Sequence, residues 1–235
     1  MSLTQRPRNH LLQALPAAEF DALSPHLKTI ELVRETVLVE AGSPPAQIYL
    51  PHCGVIAMTV SLPKGQVVQV AMIGRDGVVG AWAALGGDLS PSTAVVLFPG
   101  TASVIDVTDV KAVADRNVAV RNLLARYELV LFAQAQQSVA CNASHSVEAR
   151  LSRWLLHARD LSGNEVLPLT QEFLARMIGV RRNAISIVAH ALQQAGTIRY
   201  SRGHIAIANV EALRKTSCEC YHAVKTAHDR LLCAL

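Results

Sequence analysis

The stretch Leu169-Thr170-Gln171-Glu172-Phe173-Leu174-Ala175-Arg176-Met177-Ile178-Gly179-Val180-Arg181-Arg182-Asn183-Ala184-Ile185-Ser186-Ile187-Val188-Ala189-His190-Ala191-Leu192 decides the reading of the C-terminal third. It predicts two helices around a tight turn. Thr170 is a good N-cap, and Phe173, Leu174, Met177 and Ile178 share one face at helical spacing. Gly179 stands where the first helix must stop, because glycine takes the positive φ of a C′ position at little cost. Ile185, Val188, Ala189 and Leu192 repeat the apolar stripe, and Gly196 closes the second helix. Arg181, Arg182, Asn183 and Ser186 fall on its first turns, off the stripe. An Arg-bearing, polar start on the second helix is the layout of a helix-turn-helix, whose second helix touches base edges in the major groove. An αα-hairpin inside another helical protein carries the same two stripes, so the flanking sequence has to separate the two.

That flank favours DNA. Ile198-Arg199-Tyr200 and His204-Ile205-Ala206-Ile207 alternate as short strands around Ser201-Arg202-Gly203, a hairpin signal. A hairpin directly after a helix-turn-helix is a wing, and Arg199, Arg202 and His204 bring donors to its tip for phosphate contact. Thr170 and Gln171, at the start of the first helix, complete the predicted DNA-facing set.

With 235 residues the chain can form two modest domains, and 51% hydrophobic against 17% charged residues describes a globular protein. No uninterrupted apolar run reaches the ~18–20 residues of a membrane helix. Met1 to His10 is polar, with two arginines and no apolar core after them, unlike an export signal. A cytoplasmic protein with no membrane partner is expected. A net charge of +4 is mild, but Arg176, Arg181, Arg182, Arg199, Arg202, Arg214 and Lys215 gather in the last third. The 5 cysteines read as reduced thiols. Cys53, Cys141 and Cys233 are isolated in sequence. Cys218-x-Cys220 with His222 resembles half a zinc signature, and with no second pair in sight it reads as structural, so no metal site is expected.

In chain order, residues 10–28 read as helical with a break at Pro16. Short β-rich runs follow at Thr36–Glu40, Ile48–Leu50, Val55–Leu62, Val67–Ile73, Ala94–Phe98 and Ala102–Asp106, with turn chemistry at 41–45, 63–65 and Phe98-Pro99-Gly100. They imply a sandwich, jelly roll or barrel. The Gly-rich segment Gly74 to Gly87 offers backbone amides to an anion, or glycines to tight barrel corners. From Val107 the pattern is helical. A long helix is predicted over about Val118–Val139, where Leu123, Tyr127, Val130, Gln134, Gln137 and Cys141 recur at coiled-coil spacing. A competing register runs through Val120, Leu124, Tyr127, Leu131 and Ser138. So much apolar surface on a long helix means that it either packs on the barrel or pairs with a second copy, and pairing would use Leu123, Tyr127, Val130, Leu131 and Gln134 as the dimer residues. A further helix, Ser146 to Arg159, carries Val147, Leu151, Trp154, Leu155 and Ala158 on one face. The expected fold is α+β, with a sensor unit at 1–116, a dimerisation helix at 117–144 and a winged helix-turn-helix at 145–235.

This order resembles the Crp/Fnr superfamily of bacterial transcription regulators over nearly the whole chain. The similarity includes Val37-Leu38-Val39-Glu40-Ala41-Gly42, Ile48-Tyr49-Leu50, Gly54-Val55-Ile56 and the Gly74 to Gly80 segment. In the C-terminal third it runs through Leu169 to Ala175, Gly179-Val180-Arg181-Arg182, Leu192 to Ile198 and Gly203 to Ile207. The resemblance implies an N-terminal β-roll, a jelly roll like that of cyclic-nucleotide-binding domains. It also implies a homodimer on a near-palindromic operator in double-stranded DNA, and RNA polymerase as partner where the protein activates. Arg182 takes the place of the family's base-reading arginine, suited to guanine N7 and O6. Asn183 replaces a frequent Glu and Ile187 a later Arg, so the operator of better-known members is not implied.

An effector pocket would involve Gly77, Gly80, Ser92, Thr93 and Tyr127. Pro91 stands where nucleotide binders have the Arg of an Arg-Ser pair, although Ser92 and an acidic Asp76 are present. Losing that guanidinium argues against cyclic AMP. No Cys precedes Cys53, which leaves an iron–sulfur centre of the oxygen-sensing branch unsupported, and one His52-Cys53 pair is more often structural than a haem site. No cofactor is identified. A cupin-like metal enzyme would need a His/Glu cluster where the β region supplies only His52, so no enzyme is expected. A β-roll interaction module regulating a partner without DNA would leave Arg181, Arg182 and the wing unexplained.

Overall fold

A computed structural model describes residues 6–232; Cys233 lies outside them. Two compact units emerge, each interrupted in sequence. The first takes the chain up to Met58, then Met72–Phe132 and the last residues from His228; the second takes Thr59–Ala71 and Ala133–Ala227.

The first unit opens with α1 (His10–Ala14) and α2 (Ala17–Leu23), parted at Pro16 as the sequence predicts. Asn9 is fully buried and fully used. Its Oδ1 accepts from the amides of Leu11 and Leu12 at 3.0 and 3.2 Å, and its Nδ2 donates to the carbonyls of Pro51 and Gly77 at 3.0 and 2.9 Å. One side chain thus caps α1 and ties it to the β-roll. The sheet contains β1 (Lys28–Leu32), β2 (Val37–Val39), β3 (Gln47–Ser61), β4 (Val67–Ile73) and β5 (Thr93–Asp106). Its order is β1-β5-β3-β4, with β2 also paired to β5. β1 runs antiparallel to β5 from Lys28↔Val104 to Leu32↔Gly100. Alternate residues such as Ile56, Ile73, Leu97 and Ile105 fill the interior.

One predicted turn and one predicted break between strands are absent. Ile48–Leu50 and Val55–Leu62 are one strand, and Phe98-Pro99-Gly100 lies inside β5. The glycines there serve a close crossing of strands rather than a reversal. A Cβ on Gly100 would fall 2.2 Å from the Cys53 carbonyl oxygen, and one on Gly54, at φ +84, 2.8 Å from that of Phe98.

After α3 (Ala81–Ala84) and α4 (Val107–Arg116) comes α5 (Val118–Ser144), which extends past the predicted end at Val139. Of the two roles open to this helix, burial within the chain accounts for most of the candidate seam. Leu123, Tyr127, Val130 and Gln134 are all buried within their own chain, and so are Val120, Leu124, Ser138 and Cys141 of both candidate registers. Leu131 is half-buried. Seam spacing specifies that a helix face is covered, not by what. The large apolar side chains that α5 leaves exposed are Val118, Leu129, Phe132 and Val139, at 69%, 53%, 60% and 69%.

In the second unit, α6 (Val147–Ser162) is capped by Ser146, whose Oγ accepts from the Ala149 amide at 3.3 Å, and stops at Gly163 in the left-handed region. Next come β6 (Val166–Leu167), α7 (Gln171–Ile178), α8 (Arg182–Gln194), β7 (Ile198–Ser201), β8 (His204–Ile207), α9 (Val210–Thr216) and α10 (Cys220–Leu232). Leu151, Leu155, Leu156, Leu167, Leu174, Ile185, Ile205 and Leu213 form its core. Cys141 does not stand alone: it packs with Cys218 and Cys220. No helix among the described residues is long and apolar enough to cross a membrane.

Candidate nucleic-acid interface

The turn between α7 and α8 follows from local chemistry. Thr170 Oγ1 accepts the Phe173 amide at 3.1 Å and starts α7. Gly179 at φ +71 ends it in a left-handed cap, its amide pointing back to Arg176 and Ala175. Arg181 then takes the N-cap position of α8, where its extended backbone re-aims the chain. Phe173, Leu174, Met177 and Ile178 on one helix, and Ile185, Ala189 and Leu192 on the other, are buried as predicted. Val188 is only half-buried.

Core packing on one side turns the other side of α8 outward. Arg181, Arg182 and Asn183 are all exposed, and Ile187 is 71% exposed on the next turn. Arg182 Nε stands 3.9 Å from Glu172 Oε2, a solvated pair of small energy that an incoming duplex can break. Gln171 and Ser186 behave differently from the arginines. Ser186 Oγ lies 2.6 Å from Gln171 Oε1 and 3.2 Å from the Arg182 carbonyl, so both half-buried side chains are engaged in holding α7 to α8. Ile187, in sequence only a departure from an expected arginine, stands on the exposed face. An exposed β-branched residue on this face suits a thymine methyl.

The wing is a two-residue hairpin. Ser201 pairs with His204, and Arg202 and Gly203 take φ +46 and +79, the signs a type I′ turn requires. β6 completes a three-stranded sheet in the order β6-β8-β7. The Tyr200 amide donates to Gln193 Oε1 at 2.9 Å, which fastens the wing to the end of α8. Arg199, Arg202 and His204 are exposed, with His204 Nδ1 3.2 Å from the Arg202 carbonyl oxygen.

Several residues foreseen for an effector are engaged in packing the roll. Gly77 and Tyr127 do meet, but the Tyr127 hydroxyl occupies the place a Cβ on Gly77 would take, 1.8 Å away. Burial pushes the Tyr127 phenol well up, with Asp76 and Glu128 adding to the effect. Gly80, at φ +88, leads into α3 against Gln47 and Ile48. Ser92 is buried, its carbonyl accepting from Ser90 Oγ at 2.6 Å, and Thr93 Oγ1 accepts the Ala41 amide at 3.3 Å. The amide of Trp82, at the start of α3, donates to Glu128 Oε1 at 3.1 Å. Burial raises that carboxyl to about 7, with the Trp82 amide pulling the other way. Asp76 is paired with His228 at 3.2 Å.

A cyclic phosphate placed here would meet a carboxylate and a phenol, and Pro91 supplies no donor to it. The residues present do not fit a cyclic nucleotide. Nor do His52 and Cys53 form a ligand pair. His52 Nε2 is hydrogen-bonded to Ser103 Oγ at 2.7 Å, and Cys53 Sγ lies 3.6 Å from Thr101 Oγ1.

Comparison with known proteins agrees with this geometry. Residues 29–117 match the cyclic nucleotide-binding domain family, and residues 149–216 match the Crp-like helix-turn-helix domain. No curated protein sequence matches the chain significantly. Among solved structures, FixK2 from Bradyrhizobium japonicum is similar at a TM-score of 0.70 and 14% identity, over 82% of this chain and 98% of that one. A Crp/Fnr-family regulator from Eubacterium rectale gives 0.68 and 17%, over 88% and 96%. CLP of Xanthomonas campestris, a c-di-GMP-responsive global regulator, gives 0.68 and 13%, over 82% and 99%. At such identities the shared property is the fold. A helix-turn-helix with an Arg-bearing second helix and a basic wing, joined to a cyclic-nucleotide-binding-type β-roll, defines a DNA-binding transcription regulator. The chain belongs to the Crp/Fnr superfamily.

Proposed function

We propose that the protein acts in the cytoplasm as a homodimer on a near-palindromic operator, without a cyclic nucleotide. The observation that carries this reading is the outward face of α8, where Arg182, Asn183 and Ile187 are exposed above a packed core. In this reading Arg182 forks onto a guanine and Ile187 meets a thymine methyl. Arg181, Arg199, Arg202 and His204 contact phosphates, while Thr170, Gln171 and Ser186 fix the helix pair that presents them. Leu129 and Phe132, exposed one helical turn apart, support self-association through α5 in place of the buried seam. A two-fold dimer would bring two such helices to half-sites about one DNA turn apart. The division into a sensor at 1–116, a dimerisation helix at 117–144 and a DNA-binding part at 145–235 belongs to the same proposal. So does contact with RNA polymerase where the operator position makes the protein an activator.

The test is selection of binding sites from a random duplex pool by the purified protein, followed by salt titration on the winning site. The expected result is a palindromic site, an affinity that falls steeply as salt rises, and no change on adding cyclic AMP or cyclic GMP. Enrichment only in the presence of a cyclic nucleotide would refute the reading of the sensor. A folded dimer that enriches nothing, with or without nucleotide, would refute nucleotide-free DNA binding.

A further inference from the structure

Four side chains that the DNA reading does not use meet at one point of the second unit. Cys141 lies in the last turn of α5 and His145 follows four residues on, its amide still bonded to the Cys141 carbonyl at 3.1 Å, so both project from one face. Cys218 and Cys220 come from the turn between α9 and the start of α10. One potential ligand atom from each of these four residues lies within 4.8 Å of all the others. Cys141 Sγ and Cys218 Sγ are 3.5 Å apart, and Cys220 Sγ is 3.7 Å from His145 Nδ1. Four ligands around a tetrahedral zinc, with Zn–S near ~2.3 Å, stand ~3.8 Å from one another. We infer that Cys141, His145, Cys218 and Cys220 form a closed, structural Cys3His site for one zinc ion, which clips the α9–α10 turn to the end of α5.

The surroundings are those of a metal centre rather than of a chance thiol cluster. All three cysteines are buried, at 0%, 6% and 1% exposure. His145 presents Nδ1 to Cys220, while its Nε2 faces Glu219 Oε1 at 3.1 Å. A carboxylate on the far nitrogen fixes the tautomer that leaves Nδ1 free to ligate, a usual companion of zinc-bound histidine. Gln137 Nε2 donates to Cys220 Sγ at 3.0 Å, as a donor does to a ligating thiolate. Three thiolates around a divalent ion leave one negative charge. The buried Arg150 guanidinium, whose charge acts on Cys141 and Cys218, offsets it, and its buried Nε has no hydrogen-bond partner. An iron–sulfur cluster would put irons and sulfides between the thiolates and spread them further than these distances allow. Nor is this the pattern foreseen from Cys218, Cys220 and His222. The missing pair is Cys141 with His145, and His222 is not part of the set.

Metal analysis of the full-length protein, purified without a metal-affinity tag, tests the assignment. The expected result is ~1 zinc per chain and no acid-labile sulfide, with cobalt(II) exchange giving the intense visible d–d bands of a tetrahedral thiolate site. Cys141→Ser and Cys218→Ser should each lower zinc retention at least tenfold, while Cys53→Ser keeps it. Since serine variants can misfold, His145→Cys provides the complementary arm: it should hold one metal ion and shift the cobalt bands toward those of a four-thiolate site. The assignment is overturned by reduced, folded wild-type protein that takes up neither zinc nor cobalt. A Cys141–Cys218 disulfide in the isolated protein, or cobalt bands unaltered by His145→Cys, would also overturn it.

Discussion

Glu128 offers the sharpest prediction from the sensor. Its carboxyl is half-buried beneath α3, accepts the Trp82 amide at 3.1 Å, and is raised from 4.5 to about 7 by burial. An acid whose folded value is raised binds its proton more tightly in the native state than in the unfolded chain. Stability therefore falls as pH rises from about 4.5 to about 7, and levels off above. The gap between those values corresponds to at most about 3–4 kcal/mol, and partial solvent access brings the expected figure to about 1–3 kcal/mol. Glu128→Gln keeps an oxygen for the Trp82 amide and removes the titration. The variant should be more stable than the wild type by about 1–3 kcal/mol at pH 8, and by only a few tenths near pH 4. Urea unfolding across this range, followed by tryptophan emission, measures the difference directly. A difference that does not change with pH, or a variant less stable than wild type at pH 8, would show that burial of an ionisable carboxyl is not what governs this contact.

Three further predictions concern the interface and the packing. Arg182→Ala should lose about 1–3 kcal/mol of specific affinity and relax preference at one base pair of the selected site, whereas Arg199→Ala should weaken all sequences alike and reduce the salt slope by about one. Phe132→Glu should convert the dimer to monomer in sedimentation equilibrium without lowering the melting temperature, since that side chain is 60% exposed in the single chain; Val130→Glu, at a buried position, should unfold it. Gly77→Ala should destabilise by about 1–3 kcal/mol in thermal unfolding, because its Cβ would overlap the Tyr127 hydroxyl, and Tyr127→Phe should relieve part of that cost.

The DNA-binding part was legible because its signals are local. Thr170, Gly179 and Gly203 each carry their own backbone instruction, and the structure uses each of them: Thr170 as a cap, the two glycines at positive φ. The apolar stripes of α7 and α8 left only one side outward. In the β-roll the strands were found but their lengths were not. Phe98-Pro99-Gly100 carries turn residues, yet Pro99 sits exposed within β5 and Gly100 is demanded by the Cys53 carbonyl, a neighbour 47 residues away that no local pattern announces. The α5 seam was ambiguous for a related reason. A 4-3 repeat reports that a face is covered, and here the chain's own interior covers it.

Function was hidden by the same distance in sequence. Cys141 and His145 look like an isolated thiol and a stray imidazole on a helix, and Cys218-x-Cys220 like half of a motif. Only the fold of the second unit, with α9 lying on α6, brings the halves together across 77 positions. The sensor shows the converse case. Its resemblance to nucleotide-binding domains is real at the level of the roll, but Pro91 removes the expected guanidinium and Glu128 takes the amide of Trp82 for itself. A family's scaffold persists because packing specifies it over many residues, while a ligand depends on a few side chains that two or three substitutions can retire. The four-ligand cluster of Cys141, His145, Cys218 and Cys220 lies instead in the unit with the helix-turn-helix, where loss of the proposed zinc would act on the α5–α6 turn directly.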